Sequence, residues 1–346
     1  MNNPVPDSSL KGMNRAVELA KFLASEPVRK VKLGQTPHAV IHRDRQARLR
    51  WFAPAEPKHA PLFISMPLIN TWTVFDLMPG RSVVAALLDA GVPVYLLDWG
   101  SAGPEDADLT LGRVIDGTLV RALKRAKRHA RATYGAEAID ALGYCVGGSF
   151  LSVCLSRHPG LARRMALLAA PIDFHASGRL ATWADPETFP LDAIVDNLGN
   201  FPGALMKQSF AWLKPGGQTG KWWGLWERFE KPGFPELWTH LEAWSDAPTE
   251  FPGECYREYV RQCYFNNALV DGGWVLDGRP VDLKQGSIPA LAIAASGDHI
   301  CPSAAAFGLE RAWGGPVETV TLRGGHVGVC IGQSLPKALI AWAEDA

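Results

Sequence analysis

Short apolar runs alternate with longer stretches in which apolar residues recur every three or four positions. Repeated along most of the chain, this is the order of a parallel sheet with crossover helices. The runs at 61–65, 92–97, 139–143, 164–169, 290–295 and 317–322 predict strands, and the stretches at 81–90, 111–133, 148–157, 303–313 and 334–343 predict helices. Ahead of them AVIHRDRQARLRWFA alternates on either side of a polar RDRQ turn, as a β-hairpin does. Residues 1–37 read as a polar, partly helical lead-in whose apolar stripe is AVELAKFLA.

From about residue 173 to 284 the alternation stops, and the chain becomes rich in Trp, Pro and Gly. This stretch reads as an insertion into a core made of 38–172 and 285–346. Eight of the thirteen tryptophans (Trp183, Trp212, Trp222, Trp223, Trp226, Trp238, Trp244, Trp274) fall inside it. So many indoles imply a lined cleft or a contact surface, while any single one can equally cement the insertion to the sheet.

Charge narrows the partners. Thirty-five Lys and Arg balance thirty-five Asp and Glu, so no global field draws in nucleic acid or an anionic membrane. The basic segment RALKRAKRHARATYG has helical spacing and reads as a solvated outer face. No apolar run approaches the ~20 residues that span a bilayer. The N-terminus MNNPVPDSSLKG has no signal-peptide core, and the six cysteines form no CxxC pair, which together point to a reducing cytoplasm and away from a metal site. Cys154, Cys301 and Cys330 sit in apolar stretches and read as packing.

One cysteine is placed differently. IDALG, then G-x-C-x-G, then GSFLSVCLSRHP is a strand, a tight turn and a helix, the context of a nucleophile elbow with Cys145 at its tip. There the helix N-terminus favours the thiolate, the nucleophilic form. On this architecture the acid and the histidine follow late in the chain. Asp298 in SGDHICP and His326 in RGGHVGVC each follow a predicted strand. His326 is placed to take the proton from Cys145, and Asp298 to fix its tautomer. His299 reads as a loop residue supporting the acid, and Asp173 in APIDF as a rival acid or a cap at the start of the insertion. Two backbone N–H groups complete an oxyanion hole, one from Val146 and the other from SMPLINTW, at Ile69 or Leu68.

These residues resemble the catalytic domain of polyhydroxyalkanoate synthases. The resemblance runs from about residue 34 to the end, through GQTPHAVIHRD, PLINTWTVFDLMPGRSVVAALLDAGVPVYLLDWG, GYCVGG, APIDF, EAWSDAPTEFPGECYREYVRQCYFNN, VDLKQGSIPALAIAASGDHICP and GGHVGV. It implies an α/β-hydrolase fold, a mostly parallel central sheet flanked by helices, with the insertion as a cap over the nucleophile. It also implies an acyltransferase that polymerises (R)-3-hydroxyacyl-CoA thioesters and releases CoA, with no tightly bound cofactor. Cys145 is then the acyl carrier, His326 the base, and Asp298 the group that activates the incoming hydroxyl or orients the base. The chain looks like the short synthase type that works with a second, non-catalytic subunit, as a homodimer or in a mixed complex, in the cytoplasm or at the surface of polyester granules. Two further readings stand beside it. GYC-x-GG is also similar to the elbow of the shorter, cap-less dienelactone hydrolases, which hydrolyse with Cys, His and Asp, and a non-catalytic granule-binding protein could keep the same fold.

Overall fold

A computed structural model describes residues 7–24 and 31–345; the parts of the lead-in at 1–6 and 25–30 lie outside the described residues. The large sheet is built from β1 Ala39–Asp44, β2 Ala47–Phe52, β3 Leu62–Ser65, β4 Val94–Asp98, β5 Asp140–Tyr144, β6 Met165–Leu168, β7 Ala290–Ala295 and β8 Val317–Leu322. Their order across it is β1-β2-β4-β3-β5-β6-β7-β8. The β1–β2 hairpin and the β2–β4 pair are antiparallel, and all other neighbours are parallel. Strands β3 to β6 are buried at every position. Burial on both faces is why they read as unbroken apolar runs. At the edge, β8 mixes exposed Glu318, Thr319 and Thr321 with half-buried residues, a composition that discourages pairing with another sheet.

Helices cover both faces, and three depart from the sequence reading. The stretch 111–133 becomes a π-helical segment, Arg113–Leu119, running into an α-helix, Val120–Tyr134. The stretch 303–313 is divided at Gly308 into Ser303–Phe307 and Leu309–Ala312. The elbow helix starts two residues earlier than its spacing predicts and spans Val146–Arg157. The basic helix buries Ala122, Leu123, Ala126 and Ala130 and turns its cations outward, where Arg121 pairs with Asp44 of the hairpin.

One buried charge ties the sheet together below the site. Asp140, at the start of β5, accepts from Arg163 Nε at 2.5 Å and from Arg164 Nε and Nη2 at 3.1 and 3.0 Å, just ahead of β6. Asp140→Ala leaves both guanidinium groups without their carboxylate in a largely buried setting. It is expected to cost about 3 kcal/mol of stability, read as a lower denaturant midpoint at unchanged slope.

Between β6 and β7 the chain is mainly helical: Arg179–Trp183, Leu191–Leu198, Gly203–Trp212, Gly217–Arg228, Phe234–Ser245 and Gly253–Tyr259. The lead-in helix Asp7–Ala24 lies against this insertion, with Arg15 on Glu230 at 2.6 Å and over the Trp226 ring. The tryptophans of the insertion divide. Trp238, Trp244 and Trp274 are buried, whereas Trp183, Trp212, Trp222 and Trp223 are exposed.

Candidate active site

The turn after β5 holds Cys145 at φ 53°, ψ −137°, a conformation that a residue with a side chain adopts only under constraint. Its N–H donates to the Leu168 carbonyl of β6 at 3.0 Å, and its carbonyl accepts from Gly148 at 2.8 Å. The flanking glycines are steric requirements. A Cβ at 147 would stand 2.4 Å from the Met66 carbonyl oxygen, and one at 143 would stand 2.3 Å from the Gly148 Cα. The thiol is thereby lifted off the sheet at the start of a twelve-residue helix.

The loops after β7 and β8 bring the other two groups. His326 Nδ1 lies 2.7 Å from Asp298 Oδ2. The other carboxylate oxygen, Oδ1, accepts from the N–H groups of Ile300 at 2.8 Å and Cys301 at 2.9 Å. With Nδ1 occupied, Nε2 is the ring nitrogen left available to Cys145, which lines the same cavity. Burial by itself pulls the imidazole pKa down, but the charge of Cys145 and the hydrogen bonds to Asp298 and Cys145 outweigh it and raise it to about 10. Such a histidine is an imidazolium at neutral pH, held between a sulfur and a carboxylate.

Two groups hold the histidine from behind. Tyr144 Oη donates to the His326 carbonyl at 3.0 Å, and the rings lie 5.3 Å apart between centroids. Cys330 Sγ reaches the same carbonyl at 3.9 Å. Cys330, one of the three cysteines read as packing, therefore also contacts the loop that carries His326. Tyr144→Phe removes a buried hydrogen bond worth about one power of ten in rate. It is expected to lower kcat about tenfold and leave KM near its wild-type value, a split that steady-state kinetics on an acyl thioester will show.

Cys145 and His326 open into a cavity of about 270 Å³ also lined by Ile69, Asn70, Lys207 and Trp244. Of the two oxyanion candidates on the loop after β3, Ile69 lines this cavity, whereas Leu68 turns its carbonyl to the Thr249 hydroxyl at 3.0 Å. Val146, next to Cys145, begins the elbow helix. His299 is exposed, and the Asp298 carboxylate is held by the two backbone amides that follow His299 in the chain. Asp173 is paired with Arg311, whereas the carboxylate on His326 is that of Asp298. Among the described residues no cluster of three or more His, Cys, Asp or Glu is placed to hold a metal ion, and no helix is long and apolar enough to cross a membrane. The sequence reading missed Tyr144, although it lies inside the elbow motif, because its contact spans 182 positions. Lys207 and Trp244 carried no signal beyond lying in the insertion.

The family model for the alpha/beta hydrolase fold matches residues 75–328. The chain is 31% identical to the poly(3-hydroxyalkanoate) polymerase subunit PhaC of Allochromatium vinosum, over 89% of this chain and 87% of that protein. It is 32% identical to the PhaC subunit of Haloferax mediterranei, over 80% of this chain and 56% of that protein. Among solved structures, BpoC of Mycobacterium tuberculosis H37Rv superposes with a TM-score of 0.52 at 13% identity, covering 89% of this chain and 96% of that one. A metagenome-derived lipolytic enzyme gives a TM-score of 0.51 at 14% identity, covering 86% and 97%. At such identities the structural likeness speaks for the fold alone.

Proposed function

The chain belongs to the poly(3-hydroxyalkanoate) polymerase family, and we propose that it polymerises (R)-3-hydroxyacyl-CoA thioesters, releasing CoA, through a covalent acyl group on Cys145. The observation that carries this is that Cys145 and His326 line one cavity and that His326 is hydrogen-bonded from behind to the buried Asp298. The sulfur attacks the thioester carbonyl carbon, and the carbonyl oxygen takes up negative charge facing the N–H groups of Val146 and Ile69. When that intermediate collapses, the C–S bond to CoA breaks and the leaving thiolate takes a proton from the His326 imidazolium. The now neutral imidazole accepts the proton of an incoming 3-hydroxyl as that oxygen attacks the acyl-Cys145. Sulfur is the leaving group again, and one ester bond has formed for each CoA released. Asp298 holds the imidazole in the tautomer that both steps need.

Exchange between two thioesters is nearly isoenergetic, so the acyl group can be loaded on Cys145 and passed on without a deep well. Every group this sequence requires is a side chain or a backbone amide, so the chemistry calls for no bound cofactor. The insertion acts as a cap: its helix Gly203–Trp212 supplies Met206, Lys207 and Phe210 to the cavity wall above Cys145. A second copy or a non-catalytic subunit, and attachment to the polyester granule, complete the proposal.

The test is to incubate the purified protein with 3-hydroxybutyryl-CoA, follow free CoA with a thiol reagent, and separate insoluble polyester from free hydroxy acid. Polyester is the expected product. Free acid in stoichiometric yield would make the protein a hydrolase on the same three residues. No CoA release, with or without an added partner subunit, would end the acyltransferase reading.

A further inference from the structure

A second, smaller space of about 110 Å³ adjoins the catalytic cavity. The two share Ile69, Met206 and Phe210, so the partition between them is one side chain thick. Their chemistry differs. The catalytic cavity offers Asn70, Lys207 and Ser245 to a ligand, whereas the smaller space is bounded mainly by Leu180, Phe189, Phe201, Val260 and tyrosine rings.

The floor of the smaller space is built from aromatic rings. That floor is stiff. Tyr259 meets Tyr264 edge-on at 5.6 Å, stacks with Phe251 at 5.9 Å and meets Phe174 at 5.7 Å, while Tyr256 stacks on Phe201 at 4.2 Å. The opposite wall, Met206, Ser209 and Phe210, comes from the single helix Gly203–Trp212. Its methionine has the adaptable side chain suited to a partition that must give way.

An acyl-CoA has two unlike halves that diverge from the thioester carbonyl. The pantetheine arm carries amides and a hydroxyl, which suit Asn70, Lys207 and Ser245. The substituent on C3 of the hydroxyacyl group is a plain alkyl chain, and once the carbonyl sits on Cys145 with its oxygen toward Ile69, the apolar space across the shared wall is left to receive it. We propose that this compartment is the acyl side-chain pocket, and that Phe189 and Ser209 on its walls set which chain lengths the enzyme accepts. The inference rests on the site being one for hydroxyacyl-CoA, as argued above.

Phe189→Ala enlarges the space, and Ser209→Phe fills it. Both positions are only half-buried, and the Ser209 hydroxyl makes only a bond to the Leu205 carbonyl of its own helix, so neither change breaks the core. The measurement is the ratio of kcat/KM for 3-hydroxyhexanoyl-CoA to that for 3-hydroxybutyryl-CoA, from CoA release. One or two methylenes in an apolar pocket are worth about tenfold or more. Phe189→Ala is therefore expected to raise the ratio about tenfold and Ser209→Phe to lower it by a similar factor. Ratios unchanged in both variants overturn the proposal. So does an equal loss on both substrates in Ser209→Phe, which would mean that the space serves a step common to every chain length. The readout is CoA release, so a protein that yields only free acid fails as a polymerase while its chain-length ratio still decides this point. No release from either substrate overturns both.

Discussion

Cys145→Ser is expected to fold normally and to lose at least about a thousandfold in kcat/KM for CoA release. The change replaces one atom in a turn whose backbone is fixed by Gly143, Gly147 and the bonds to Leu168 and Gly148, so the loss is chemical. With sulfur, the attacking group is far more acidic than a hydroxyl, and it faces His326, whose pKa stands at about 10 with Cys145 and Asp298 as its partners. A serine hydroxyl at the same point is not ionised, and its proton must be removed within the rate-limiting step by an imidazole whose remaining partner is Asp298. A second effect adds to the first. The oxygen ester formed on serine is more stable than the thioester it came from, so any acyl group that does transfer is trapped. Intact-protein mass spectrometry should show the hydroxyacyl adduct persisting on the introduced serine in the variant and turning over on Cys145 in the wild type. Near-normal release of CoA by the variant would sink the covalent thiol mechanism.

How far the chain could be read in advance follows from which contacts are local. Strands β7 and β8 fall where their apolar runs predict them, at 290–295 and 317–322, because a parallel strand declares itself through its own residues. The elbow is legible for the same reason. The clashes that forbid a Cβ at 143 and 147 come from the turn itself and from the neighbouring strand end at Met66. Asp298 and His326 were legible as candidates because each lies in the loop that follows a predicted strand, late in the chain. The insertion resisted. Indoles at Trp238 and Trp244 are buried and those at Trp212 and Trp223 are exposed, and nothing in their spacing separates the two kinds. The brace from Tyr144 to the His326 carbonyl joins residues 182 positions apart. Periodicity carries no information about such pairs. The π-helical segments Arg113–Leu119 and Val260–Phe265 shift the helical register without altering the run of apolar residues.

Asp298→Asn is expected to cost about four powers of ten in kcat while leaving the fold and the cavity intact, and the reason lies in which oxygen is held by what. Oδ1 of the carboxylate accepts from two backbone N–H groups, those of Ile300 and Cys301. An asparagine must keep its carbonyl oxygen on that side, since turning its NH₂ there would set donor against donor. Its NH₂ then faces His326 Nδ1, where Oδ2 now lies at 2.7 Å. The ring is forced to offer a lone pair at Nδ1 and to keep its proton on Nε2, so it has no lone pair facing the site to accept the proton of the incoming hydroxyl in the second step. The same exchange removes the hydrogen bond and the charge of Asp298 that help raise the imidazole, so its pKa should fall from about 10. The sign of the stability change follows. A histidine raised above its usual value near 6.5 stabilises the fold fully below that pH, and the contribution drains away as pH climbs toward about 10. In Asp298→Asn it should vanish at a lower pH, so the deficit against wild type is largest on the acid side of neutrality and narrows as pH rises. Denaturant unfolding across that range, with imidazole titration by NMR, measures both shifts. A variant that keeps wild-type turnover and an unshifted imidazole would remove Asp298 from the mechanism. Asp173 would then have to leave Arg311 to take its place.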